Sequence, residues 1–208
     1  MKRALLYLPL CLVVFYVLGV RHVRKKHKER KQQQEQSSHQ HSATWQEFSQ
    51  EKHFQMLVEG FGIGSMLDIP SRDVEHMHLP LKKYIGVAPT PAEAANLQTR
   101  FGSAISSFIS LDLTIDPLPK VDLILCWDRF SSLSDQEIRA ALLQCKKSGA
   151  KFLLLSHCPS LKQNEEEEYR QINWKLSPYN FPEPLIMMVE KANPEPQYLG
   201  LWNLAELP

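Results

Sequence analysis

Short apolar runs recur through the middle of the chain: Met66-Leu67-Asp68-Ile69, Tyr84-Ile85-Gly86-Val87, Phe108-Ile109-Ser110-Leu111-Asp112, Val121 to Cys126 and Lys151 to Ser156, each followed by a polar or Pro-containing loop. They are too short for helices, and they predict the buried strands of a mostly parallel sheet. Between them, Pro91 to Phe101 reads as a helix, with Pro at its start and Gly102 just past its end. Ser134-Asp135-Gln136-Glu137 is a capping box; the helix it opens runs through Ile138, Leu142 and Leu143 to Lys147, and Gly149 stops it. Two strand–helix–strand units follow from this pattern. Upstream, Thr44 can cap a segment in which Trp45, Phe48, Phe54, Leu57, Val58 and Phe61 recur at near-helical spacing, which predicts a helix packed under the first strand. Between Asp73 and Tyr84 there is room for barely two helical turns, and Pro80 interrupts them. Beyond Ser156 a long loop, Pro-rich from Pro178 to Pro184, leads to the runs Leu185 to Val189 and Leu199 to Leu204, which predict a final antiparallel edge. No internal repeat is present.

The amino terminus has a different character. Ala4 to Val20 is uncharged and largely apolar, and about 17 residues at 1.5 Å rise give roughly 25 Å of helix, enough for a thin bilayer. Gly19-Val20-Arg21-His22 leads directly into a basic block rather than a small-x-small cleavage site, so an uncleaved signal-anchor is expected, with a cleaved signal peptide as the alternative. The basic residues Arg21, Arg24, Lys25, Lys26, Lys28, Arg30 and Lys31 follow the span, and only Lys2 and Arg3 precede it, which puts the large domain on the cytoplasmic side. The same block from Arg21 to Lys31 can meet anionic lipid headgroups or serve only as a topology signal. Gln32 to Ser42 is polar and lacks large apolar side chains, the composition of a linker. The 208 residues thus divide into an anchor (1–21), a basic and polar linker (22–42) and one globular domain (43–208). Net charge is +1, and the basic block and the acidic run Glu165 to Glu168 lie far apart. Neither implies nucleic acid.

Candidate chemistry centres on Met66 to Asp73. Asp68 falls at the carboxyl end of the first predicted strand, and in open α/β sheets ligands bind in the crevice outside those ends, where strand order reverses. The turn Pro70-Ser71-Arg72-Asp73 would face that crevice with its backbone N–H groups. Cys11, Cys126, Cys145 and Cys158 show no Cys-x-x-Cys spacing, and His76 and His78 have no third ligand nearby, so neither zinc nor a disulfide framework is expected. No Gly-x-Gly-x-x-Gly follows the first strand, which counts against a dinucleotide.

The sequence Leu67-Asp68-Ile69-Pro70-Ser71-Arg72-Asp73, the later Tyr84-Ile85-Gly86-Val87, the Cys126-Trp127-Asp128 turn and the closing Pro182-Glu183-Pro184-Leu185 and Leu199-Gly200-Leu201-Trp202-Asn203-Leu204 segments resemble the class I S-adenosylmethionine-dependent methyltransferases. The likeness is to a bacterial-type branch and runs from about Trp45 to Leu207. It implies a Rossmann-like α/β sheet of about seven strands. It also implies that S-adenosylmethionine lies against Asp68, Ser71, Arg72 and Asp73, against Ala88 after the second strand, Asp112 and Leu113 after the third, and Cys126 at the end of the fourth. Asp128 then stands over the methyl-transfer position, where an acid can orient or deprotonate an acceptor, and Asn164, Trp174 and Asn180 fall on the acceptor side. The chain departs from the pattern at Arg72, where the family has glycine, at Ala88, where it has a ribose-binding acid, and at Trp127, where it has arginine; Thr90 offers a partial substitute for the missing acid. Asp112 can equally be a solvated Asp that starts the loop toward Asp116-Pro117, and Asp128 can equally cap its loop. Function divides accordingly: methyl transfer to an unidentified acceptor, a catalytically inactive methyltransferase-like module at the membrane, or a different nucleotide in the same crevice.

Overall fold

The computed structural model describes residues 52–70, 78–164, 169–191 and 197–208. A helix over residues 52–60 (α1) leads to strands β1 (Ser65–Ile69) and β2 (Lys83–Ala88), helix α2 (Pro91–Phe101), strands β3 (Ser106–Ser110) and β4 (Leu123–Cys126), helix α3 (Asp135–Ser148) and strands β5 (Phe152–His157), β6 (Ile186–Lys191) and β7 (Gln197–Asn203). One sheet holds all seven strands in the order β3-β2-β1-β4-β5-β7-β6. β1 to β5 are parallel, whereas β7 runs antiparallel to both β5 and β6. Strand order therefore reverses between β1 and β4. The expected α/β sheet is present, its strands shifted by a residue or two from the apolar runs; the largest consequence is that β3 stops at Ser110 and leaves Asp112 in the following loop.

Local chemistry sets the helix ends. Thr90 Oγ1 accepts from the Glu93 N–H at 3.2 Å and Pro91 occupies the first turn of α2, where its missing N–H costs nothing. Thr90 is thus a helix cap. In α3 the capping box closes in both directions: the Ser134 hydroxyl accepts from Glu137 N–H and the Glu137 carboxylate accepts from Ser134 N–H at 2.8 Å. Gly149 then ends the helix at φ 73°, a conformation that a side chain would disfavour.

The pleat sorts the core into two layers. Ile85, Leu67, Ile124, Leu153 and Trp202 are register neighbours across β2, β1, β4, β5 and β7, and they pack on the α3 face with Ile138, Ala141 and Cys145. Met66, Tyr84, Leu123, Leu125, Leu154 and Leu201 pack on the opposite face with Phe54, Leu57 and Val58 of α1. Over the described residues 52–60, the helix expected under the first strand is present. Strands covered on both faces read as continuous apolar runs, which is the pattern the sequence shows.

Asp122 secures the amino-terminal edge of β1, β4 and β5. Its carboxylate accepts from Gly64 N–H (3.1 Å), Ser65 N–H (3.0 Å) and the Ser65 hydroxyl (2.8 Å), and pairs with Lys151 at 3.1 Å. Burial opposes its ionisation, but the Ser65 hydroxyl, Lys151 and Gly64 N–H outweigh burial and hold the carboxyl below its ordinary value. Asp122→Ala is expected to lower unfolding free energy by about 2–3 kcal/mol, measured by urea denaturation. Because the folded carboxyl titrates below the unfolded one, this stabilisation is complete at neutral pH and is lost as pH falls below about 4. A deficit that persisted undiminished at pH 2 would rule out the charge as its source.

The proposed anchor (1–21), the linker (22–42), Thr44, Trp45, Phe48, Ser71, Arg72, Asp73, His76 and Glu165 to Glu168 lie outside the described residues. Among the described residues, no helix is long and apolar enough to cross a membrane.

Candidate functional site

The reversal of strand order opens a crevice at the carboxyl ends of β1 and β4. Ile69 and Cys126 are the last register partners there, and the Trp127 N–H extends the ladder by donating to Ile69 O at 3.2 Å. A cleft of about 880 Å³ lies above them, within the size range of cofactor sites. Its walls are Ile69 and Pro70 after β1, Val87, Ala88 and Pro89 after β2, Leu111 and Leu113 after β3, and Asp128, Arg129, Ser131 and Ser132 after β4. Helix α2 closes one side with Glu93, Asn96, Leu97 and Arg100, and Tyr169 reaches the rim.

A second cavity of about 300 Å³ adjoins the first, sharing Asp128, Ser131 and Tyr169 with it. Its remaining wall comes from Cys126, Phe130, the β5 end Ser156-His157-Cys158 and the segment Arg170-Gln171-Ile172 with Trp174. Trp174 fixes that segment to the sheet. Its indole N–H donates to Ser156 O at 2.8 Å, and its ring packs against Phe130, Tyr179 and Phe181. The Arg170 guanidinium is paired with the Asp135 carboxylate and bonded to the Tyr179 hydroxyl at 2.9 Å.

Asp128 stands at the junction in the left-handed region, φ 53° and ψ 4°, a conformation that Asp and Asn tolerate better than other side-chain-bearing residues. Its backbone is held from both sides: its N–H donates to Ser156 Oγ at 2.9 Å, and its carbonyl accepts from the Ser131 hydroxyl at 2.6 Å. Its carboxylate caps nothing and has no hydrogen-bond partner among the described residues. The loop-capping alternative for Asp128 is therefore not what the geometry shows.

The other expected site residues separate. Ala88 and Leu113 line the cleft, and Cys126 lines the smaller cavity. Burial, followed by Cys145 and Asp68, pushes the Cys126 thiol well up, so it is a neutral wall group at neutral pH. Asp68 does not line the cleft. It shares the pleat face of Met66, opposite Gly86 and Leu125 in the register, and is 3% exposed, with its carboxylate accepting from the Tyr84 hydroxyl at 2.7 Å. Successive strand residues point to opposite faces, so Ile69 reaches the cleft wall and Asp68 the α1 layer.

Asp112 caps its own loop. Its Oδ1 accepts from Thr114 N–H at 2.8 Å and from the Thr114 hydroxyl at 2.6 Å, bonds that hold its carboxyl below the ordinary value. Of the acceptor-side residues, Trp174 lines the smaller cavity, while Asn164 spends its amide on Asn173 and Ser177 backbone groups and Asn180 is an exposed left-handed turn residue. Sequence reading missed Glu93, Asn96 and Arg100, whose i, i+3, i+7 spacing on α2 was the available signal, together with Arg129, Tyr169 and His157.

No protein-family model matches the chain, and no curated protein matches it. Solved structures do. The methyltransferase domain of bacterial CtHen1 aligns over 74% of this chain and 97% of its own at 8% identity and a TM-score of 0.52. The N-methyltransferase NodS of Bradyrhizobium japonicum aligns over 75% and 96% at 14% identity and a TM-score of 0.52. The magnesium protoporphyrin IX methyltransferase of Synechocystis, solved with S-adenosylmethionine bound, aligns over 74% and 77% at 14% identity and a TM-score of 0.51. With its seven strands, their order and its crevice at the β1–β4 switch, this chain has the fold of the class I S-adenosylmethionine-dependent methyltransferases.

Proposed function

We propose that the chain binds S-adenosylmethionine in the larger cleft and transfers its methyl group to an acceptor held beside Asp128. The observation that carries this reading is the cleft itself: it lies at the topological switch point and adjoins a second cavity, with which it shares Asp128, Ser131 and Tyr169. The residues present suit the cofactor. Ile69, Val87, Leu111 and Leu113 offer apolar walls for an adenine ring, Glu93 and Asn96 offer an acceptor and an amide for ribose hydroxyls, and Arg129 offers a cation for a carboxylate. Bound there, S-adenosylmethionine would supply a sulfonium-activated methyl group. The chain's own part is to hold the two reactants in line and exclude water, an effect that can account for much of the rate. Two of the structurally similar methyltransferases were solved with this cofactor or its demethylated product bound, which supports the assignment.

Calorimetric titration of S-adenosylmethionine and S-adenosylhomocysteine into the full chain tests it. Micromolar binding is expected, weakened about tenfold by Glu93→Ala through loss of one charge-assisted bond. A folded chain giving no heat at millimolar ligand would overturn the reading. Ala88 favours a second one, a methyltransferase-like module without turnover, because the strand-end carboxylate that would grip the ribose is missing. Cofactor binding with no methylated product from any acceptor class would favour that module.

The apolar Ala4 to Val20 stretch and the basic residues from Arg21 to Lys31 support a further part of the proposal: a single-pass anchor with the catalytic domain on the cytoplasmic side. Carbonate-resistant membrane association, and digestion of the domain by protease added from the cytoplasmic side, are the expected results. Release of the chain by carbonate would remove the anchor from the proposal.

A further inference from the structure

The smaller cavity contains more polar groups than its own hydrogen bonds use. Cys158 Sγ donates to Gln171 Oε1 at 3.1 Å, Ser156 Oγ accepts from the Asp128 N–H, and the Ser131 hydroxyl is spent on Asp128 O. The Arg170 guanidinium is engaged by Asp135, Tyr179 and Leu133 O on the side of α3. Two groups remain. One is the Asp128 carboxylate, with no hydrogen-bond partner among the described residues. The other is His157, 3% exposed, whose Nδ1 accepts from Trp174 N–H at 3.4 Å; that bond places the imidazole proton on Nε2, which has no partner. A buried donor left unbonded is costly, and both groups belong to the wall of one cavity of about 300 Å³.

We propose that this cavity binds a small alkylammonium ion that also carries a hydrogen-bond-accepting oxygen, the ammonium on the Asp128 carboxylate and the oxygen on the His157 Nε2–H. The charge of Arg170 is balanced by Asp135 and that of Lys175 by Glu183, and Arg129 lines the larger cleft, whereas Asp128 has no ion pair among the described residues, so the uncompensated charge at this cavity is negative. Burial, and then the charge of Lys175, lower the His157 pKa to about 4, so at neutral pH the ring is an uncharged donor that does not repel a cation. That the bound amine is also the methyl acceptor rests on the function proposed above; its binding does not.

Three probes of one size separate the possibilities: ethanolamine, ethylene glycol and glycolate, which differ in charge. Each is titrated into the full chain without cofactor, following the His157 imidazole resonances, assigned by their loss in His157→Gln. Ethanolamine is expected to shift them saturably and to bind about tenfold or more tightly than either other probe, the worth of one charge-assisted bond. Asp128→Asn should bring ethanolamine to the level of ethylene glycol while thermal unfolding stays unchanged, since Asn suits the left-handed backbone at that position. Glycolate binding as tightly as ethanolamine, ethanolamine indifferent to Asp128→Asn in a folded chain, or no response to any of the three overturns the proposal. Failure of S-adenosylmethionine to bind is read separately by calorimetry and leaves the amine result standing.

Discussion

Replacing Asp135 by Ala is expected to lower unfolding free energy by about 3–5 kcal/mol, the cost of leaving a buried charge without its partner. Arg170 is buried, and its guanidinium pairs with the Asp135 carboxylate, which also accepts from the Tyr179 hydroxyl at 2.6 Å. Burial raises the cost of ionising Asp135, but the Tyr179 and Arg170 bonds exceed it and hold the carboxyl below its ordinary value, while burial and the Asp135 bond push the Tyr179 phenol up. The sign follows: the pair stabilises fully above the unfolded carboxyl value of about 4 and fades as pH falls through the lower folded value. Urea denaturation at pH 7 and pH 3 should therefore show a deficit that narrows on acidification. Asp135→Ala combined with Arg170→Met should recover part of the loss, because no unpaired charge is then buried. A single-variant deficit below about 1 kcal/mol, as for an exposed pair, would mean that Arg170 escapes to water. The same pair holds the Tyr169 to Trp174 wall of the smaller cavity to the start of α3, so loosening there should also weaken ethanolamine binding.

How far the sequence disclosed this arrangement depended on whether the signal was local. Ser134 with Glu137, Pro91 with Gly102, and Gly149 are end signals whose chemistry acts within one turn, and each stands where its helix starts or stops. The strands were legible because residues covered on both faces are apolar without interruption. That same uniformity concealed the pleat. In a strand buried on both sides, no alternation reveals which residues face the ligand crevice, and Asp68 was assigned to the cleft by its position at the strand end when its parity turns it toward Tyr84. Asp112 was a local signal overlooked: an Asp two residues before a Thr can close its own loop, and here it does. Glu93, Asn96 and Arg100 share one helix face, but only the topology shows that this face borders the crevice. His157 was beyond reach from sequence, because its unpartnered nitrogen is defined by Trp174, a residue brought to it by the long segment after β5.

Ala88→Asp is the second substitution with a large expected effect, and it is a gain. Ala88 closes β2 and lines the cleft beside Glu93, buried and without an acceptor to offer the ribose of the proposed cofactor. A carboxylate at that point can accept from a ribose hydroxyl. One bond of that kind contributes about 1.5–3 kcal/mol, so affinity for S-adenosylhomocysteine should rise about tenfold to a hundredfold. The nearby Glu93 sets the size of the gain. Its Oε2 already accepts from the Thr90 hydroxyl at 2.9 Å, and a second acid close by would repel it. The increase should therefore be larger in a Glu93→Gln background than in the natural chain, and a double-mutant cycle by calorimetry measures that difference as a coupling. Adenine and methionine, which lack the ribose, should bind no better to Ala88→Asp. If S-adenosylhomocysteine binds the folded variant no more tightly than the natural chain in either background, the ribose does not lie at the end of β2 and the cofactor placement proposed for this cleft fails. If the gain appears and methyl transfer rises with it, the weak ribose grip at Ala88 is what limits the natural protein.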